Sequence, residues 1–175
     1  CRLLDPVEAA TAAGLDGAQA LLVIGFESSD VPQGDFMRQA VAIARDAGGK
    51  VADDSIIISD EPGRATGREG SVGAWRDSFI NAPYQRNITT GLGLVEDTLE
   101  TAVTWDQWPK LDAAVREAIQ NAMNHSCRGG TVTCRFTHVY PDGPAPYFTF
   151  SGFGQRGGEL EAHQDRECAA RDPEG

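Results

Sequence analysis

No apolar run in this sequence comes near the ~18 residues of a membrane-spanning helix, and the aliphatic stretch Ala20–Phe26 is far too short. No signal peptide is expected either. Cysteine is scarce: Cys1, Cys127, Cys134 and Cys168 form no CxxC pair, and a chain of this length needs no disulfide framework, so reduced thiols are expected. Only His125 and His138 lie near Cys127 and Cys134, short of a grouped four-ligand zinc set, so no metal is expected. Positive charge is the minority sign: 15 basic residues stand against 26 acidic ones, for a formal charge of -11. That surface repels phosphate backbones over most of its area, so nucleic acid is not expected as a partner. It does not exclude a small anionic substrate, because one or two arginines act locally in a closed pocket.

Standard cofactor and hydrolase motifs are missing too. Gly91-Leu92-Gly93 lacks the third glycine and the strand-to-helix setting of a dinucleotide fingerprint, and there is no Walker loop. No Gly-x-Ser-x-Gly elbow occurs, and the three histidines are scattered, so no hydrolytic triad can be read.

What is present is an ordinary globular composition, 41% hydrophobic and 23% charged over 175 residues, enough for one domain with a genuine core. Ala20–Glu27 predicts a strand. Asp35–Ala47 predicts a covering helix with Phe36, Ala40, Ile43 and Ala47 on its inner face, ended by Gly48-Gly49. Ile56–Ile58 predicts a short strand inside the loop-like segment Asp53–Gly70. Ser71–Asn87 predicts a helix through Val72, Trp75 and Phe79, broken or kinked at Pro83. Thr98–Trp105 alternates as a half-buried strand, after which Asp106 is expected to cap a helix with the core stripe Leu111, Val115, Ala118, Ile119 and Ala122. Thr131–Tyr140 and Tyr147–Phe153 read as a hairpin around Pro141-Asp142-Gly143-Pro144, and Glu159–Ala170 as a tail helix. Together these predict an α+β fold: an antiparallel sheet covered by helices on one face.

The hairpin concentrates chemistry. Cys134, Phe136, His138 and Tyr140 share one face of its first strand, and Arg135, Thr137 and Val139 the other. On the residues alone, Phe136, Tyr140, Phe148 and Phe150 read as core aromatics and His138 as a hydrogen-bonded wall residue. A face carrying His and Tyr would equally line a pocket.

Several stretches carry a resemblance. Asp97–Trp105 with Asp106, then Thr133-Cys134-Arg135-Phe136-Thr137, and then Tyr140 through the turn to Tyr147-Phe148-Thr149-Phe150 follow one another as in the C-terminal half of the alkyldihydroxyacetonephosphate synthases. That family is a branch of the vanillyl-alcohol-oxidase-type flavoproteins. Arg2-Leu3-Leu4-Asp5 resembles its Arg-Leu-hydrophobic-Asp element, and Trp75–Asn87 its helical segment ending in Tyr-x-Arg. Nearly the whole chain is covered.

The resemblance implies the cap domain of an FAD-linked oxidase, with residues 1–175 forming the substrate-binding portion, truncated at both ends. The opening Cys1-Arg2-Leu3-Leu4 without an initiator methionine is what a cut piece is expected to look like. The FAD-binding domain is expected upstream of Cys1, and the family's His-His-His run beyond Gly175. In the full enzyme FAD would act while a fatty alcohol replaces the acyl group of acyl-dihydroxyacetone phosphate, in ether lipid synthesis. Tyr147 matches the family's proton donor and acceptor, Arg86 the arginine gripping the substrate's anionic group, and Arg2 a further required arginine. His138 stands where a glutamine is expected and is a candidate substrate contact. A core tyrosine and a solvated helix-end arginine are the plain alternatives for Tyr147 and Arg86. Two other functions stand beside this one: an FAD-linked oxidase or dehydrogenase of a small 2-hydroxy acid, and an isolated binding or structural module without activity. The expected setting is a bacterial-like cytoplasm, with peripheral membrane association and a homodimer both compatible.

Overall fold

Asp5 starts the first helix by accepting a hydrogen bond from Glu8 N at 2.8 Å, and Pro6 fills the first turn, where its missing N–H costs nothing. Such local signals set the element order in the computed structural model, which describes residues 1–59 and 70–154. In chain order these are β1 (Arg2–Leu4), α1 (Pro6–Ala13), β2 (Leu21–Val23), α2 (Gly34–Asp46), a 3-10 turn (Asp53–Ser55), α3 (Gly70–Gly91), β3 (Leu94–Glu100), α4 (Trp108–Ser126), β4 (Thr131–Val139) and β5 (Pro144–Phe153). The strands form a five-stranded antiparallel sheet in the order β2-β1-β4-β5-β3, which with four helices is the expected α+β class. The chain divides into two compact units, Cys1–Ala82 with Arg135–Tyr140, and Pro83–Cys134 with the residues from Pro141 onward. The tail helix expected over Glu159–Ala170, Cys168, and the loop residues 60–69 lie outside the described residues.

In the first unit β1 pairs on one side with β2 (Leu3 with Leu22, Leu4 with Leu21) and on the other with β4 (Leu3 with Phe136, Leu4 with Arg135). Leu4, Ala9 and Phe136 are buried around this junction. The strand predicted over Ala20–Glu27 shrinks to Leu21–Val23 because its partner β1 has only three residues before Asp5 turns away to cap α1. Helix α2 matches its expected span, but its inner face is rotated. Met37, Ala40, Val41 and Ala44 are half-buried, whereas Phe36 is 52% and Ile43 69% exposed. Apolar residues at both Phe36 and Met37, 100° apart on a helix, make two stripes legible, and packing selects the second. Phe36 instead meets Phe26, their ring centroids 6.0 Å apart. Ile56–Ile58 forms no strand and follows the 3-10 turn, with Ile57 and Ile58 exposed. Helix α3 does not end at Pro83; it continues to Gly91, and Pro83 falls where the first unit gives way to the second.

In the second unit β3 runs against β5 in register from Leu94 opposite Phe153 to Glu100 opposite Tyr147. The strand expected to reach Trp105 stops at Glu100 because β5 carries Pro144 and Pro146, which have no N–H to give back. Beyond Glu100 only one direction of bonding survives: Thr101 N donates to Pro146 O at 3.2 Å, Val103 N to Pro144 O at 3.3 Å and Trp105 N to Asp142 O at 3.1 Å. Gly143 makes this approach feasible, since a Cβ there would lie 1.9 Å from Val103 O. Helix α4 begins after Gln107 with no side-chain cap, so Asp106 is not the cap the sequence suggests. Thr104 O takes the amides of Gln107 and Trp108, and Asp106 turns to the side chains of Thr104 and Gln107, which hold its carboxyl below the usual value of 3.8. Leu111, Val115 and Ile119 face inward as expected, and buried Met123 continues the stripe in place of exposed Ala118 and Ala122. This face meets fully buried Phe148, under the Arg116 guanidinium (5.9 Å) and beside Trp108 (centroids 6.2 Å apart).

Candidate functional site

Residues expected to carry function are divided between the two units. In the first, Arg2 and Arg135 share a face: Leu4 and Arg135 stand opposite one another in the ladder, and Arg2 lies two residues before Leu4. Arg2 Nη1 donates to Thr137 O, and its guanidinium lies over the Trp75 ring, 6.0 Å from the centroid. Arg135 lies over Phe79 at 5.8 Å and pairs with Glu8 at 2.7 Å, with the two side chains only 15% and 6% exposed. Trp75 and Phe79 are one helical turn apart on α3 and stack at 6.1 Å, so both guanidinium groups rest on one aromatic ledge. Among the described residues Arg2 makes no further hydrogen bond and has no carboxylate partner.

His138 near the end of β4 and Tyr140 just beyond it are exposed and stacked on each other, with centroids 5.9 Å apart and planes 11° apart. Tyr140 at 55% exposure is therefore not the core aromatic that alternation suggests; the buried part of that face stops at Phe136.

The second unit holds Arg86 and Tyr147. Odd-numbered residues of β3 bond to β5, so the carbonyl of Glu96 points to the sheet's open edge, and Arg86 Nη2 donates to it at 2.6 Å. Asp97 lies 3.9 Å away, an exposed pairing of little energy. The other guanidinium nitrogens of Arg86 make no hydrogen bond among the described residues. Tyr147 is half-buried opposite Glu100, four residues further along β3, about 13 Å at the rise of a strand. Its side chain leaves the face opposite Phe148, whereas Asp97, beside Arg86, projects on the Phe148 side. The structure thus puts Arg86 and Tyr147 on one strand ladder without bringing them side by side.

The Glu8–Arg135 pair had no sequence signal, since the partners are 127 residues apart. Trp75 and Phe79 did have one, their helical spacing, but it reads equally as a core stripe. Cys1, Cys127 and Cys134 carry thiols, and burial pushes the Cys127 thiol above its usual 9.0. Among the described residues no three His, Cys, Asp or Glu side chains are grouped to hold a metal, and no helix is long and apolar enough to cross a membrane. Gly91 and Gly93 stand where a helix runs into a strand, the reverse of a dinucleotide-binding turn, so they do not fit the pyrophosphate of FAD.

Comparison with known proteins aligns with this architecture. Residues 1–165 match the family model described as FAD linked oxidases, C-terminal domain. An alkyldihydroxyacetonephosphate synthase of Caenorhabditis elegans is 34% identical over 112 residues, 61% of this chain and 18% of that protein. Two solved structures of alkyldihydroxyacetonephosphate synthase share the fold, with TM-scores of 0.58 and 0.60 at 19% and 20% identity. They cover 98% and 93% of this chain, which spans 33% and 32% of theirs.

Proposed function

The chain belongs to the family of FAD-linked oxidase C-terminal domains, and from that membership we propose that it is the substrate-binding portion of an FAD-dependent enzyme that replaces the acyl group of acyl-dihydroxyacetone phosphate by a fatty alcohol. The observation that carries the reading is Arg86: one nitrogen is anchored to the Glu96 carbonyl and the others make no hydrogen bond among the described residues, which suits a planar fork able to take phosphate oxygens. In this reading Arg86 holds the phosphate and Arg2 a second oxyanion contact, with exposed His138 as a substrate contact. Tyr147 gives and takes the proton at the carbon bearing the acyl group, as a positioned acid and base must. When bound, FAD supplies an electron sink that no amino-acid side chain offers. Gly91 and Gly93 do not form the turn that holds a pyrophosphate, so we place the holder of that cofactor in a separate FAD-binding domain, and the 175-residue chain alone is expected to be colourless and inactive.

The decisive test is kinetic, in the complete enzyme. Tyr147→Phe should abolish turnover with the fold intact, and Arg86→Ala should mainly raise KM for the phosphate-bearing substrate. Unchanged turnover removes Tyr147 from the chemistry, and an unaltered KM leaves Arg86 a solvated arginine. Flavin reduction by small 2-hydroxy acids, with no exchange of acyl for alcohol, would favour an oxidase in which Arg86 grips a carboxylate.

A further inference from the structure

The first unit contains a charge arrangement that the roles above do not use. Two guanidinium groups share one sheet face over the Trp75–Phe79 ledge, yet among the described residues only Arg135 has a carboxylate partner. Glu8 neutralises Arg135. Among the described residues Arg2 has no carboxylate to neutralise it; it is half-buried, with one nitrogen on Thr137 O and its guanidinium carbon over the Trp75 ring, 6.0 Å from the centroid. A guanidinium held by a carbonyl on one side and an aromatic ring on another has fewer orientations open to it, and its nitrogens not bonded to Thr137 O remain available to an oxyanion. With Arg135 paired to Glu8, Arg2 is the cation of the two without a carboxylate among the described residues, in a chain whose total charge is -11, so an anion reaching this ledge would be drawn by Arg2.

We infer that Trp75 is a positioning residue that orients Arg2 to receive an anionic oxygen pair of phosphate or carboxylate type. The inference rests on the reading of Arg2 as a substrate contact and deepens it. Trp75 itself touches no ligand; it restricts the guanidinium to the plane in which two parallel hydrogen bonds form, and the stack on Phe79 fixes the Trp75 ring in turn. The paired Arg135 beside it is spent on Glu8 and does not compete for the anion.

The test uses the 175-residue chain carrying Arg86→Ala, so that Arg86 cannot contribute, with inorganic phosphate and acetate as probes and the Thr137 amide followed by NMR. Trp75→Phe keeps an aromatic face and should bind within about twofold of the parent, whereas Trp75→Leu should bind about two- to fivefold more weakly. Arg2→Lys, which keeps the charge and leaves the ledge intact, should show the same weakening and reports even if the leucine variant does not fold. Preference for phosphate or acetate identifies the oxyanion. Leucine and phenylalanine variants of equal affinity, or a lysine variant equal to the parent, overturn the role of Trp75. Arg2→Ala with undiminished binding instead removes Arg2 itself from the site, a distinct failure.

Discussion

Arg135 Nη1 lies 2.7 Å from Glu8 Oε1, joining β4 to α1 across 127 residues of sequence, with both side chains largely withdrawn from water. Removing one partner strands the other charge in a poorly solvated place. Glu8→Ala and Arg135→Ala should each destabilise the chain by about 3–5 kcal/mol in urea unfolding, while Glu8→Leu with Arg135→Met should recover most of that loss. Recovery by the apolar pair would identify stranded charge, rather than lost attraction, as the cause.

Gly143 lies against the backbone of Val103 and Thr104. An alanine Cβ there would meet Val103 O at 1.9 Å and Thr104 Cα at 2.8 Å, both backbone atoms that cannot step aside. Gly143→Ala should cost about 1–3 kcal/mol through forced backbone displacement, read as a lowered thermal midpoint.

The two stripes of α2 separate by substitution. Phe36→Ser and Ile43→Ser fall on exposed positions and should change stability by less than about 1 kcal/mol, whereas Val41→Ser on the half-buried face should cost more. Equal effects at Ile43 and Val41 would contradict the observed rotation of the helix.

Asp106 predicts a pH dependence. Its folded-state pKa lies below 3.8 because the Thr104 and then the Gln107 side chains hydrogen-bond the carboxylate, so the unfolded chain binds the proton more readily. The contribution is present above pH 3.8 and is lost as pH falls through the lower folded value. Asp106→Asn should flatten that acid limb of the stability curve by removing the carboxylate's contribution at neutral pH while leaving the stability below the folded value unchanged, as chemical denaturation at a series of pH values would show.

Much of this fold was legible where the determinants are local. Gly48-Gly49 bounds a helix in the way short-range chemistry dictates, Pro109 stands in the first turn of α4, and the Pro141-Asp142-Gly143-Pro144 turn announced the hairpin, whereas the short helix α1 that Asp5 caps was not read. What could not be read depends on partners distant in sequence. Nothing in Ala20–Glu27 says that its neighbour β1 is three residues long, and nothing in Thr98–Trp105 says that prolines face it from β5. The candidate site divides in the same way. Arg2, Arg86, His138 and Tyr147 were nameable by resemblance, but the Trp75 ring beneath Arg2 and the Glu96 carbonyl beneath Arg86 were not. Alternation likewise predicted the shared face of Phe136 and Tyr140 without indicating that burial ends between them.

Prolines 144 and 146 leave the ladder past Glu100 laced from one side only. Amide exchange there should be punctuated: Thr101, Val103 and Trp105 slowed, their proline neighbours across the seam silent, and the segment lifting away before Leu94–Glu100 does. The hairpin's turn end is therefore a hem that can open while the seam behind it holds.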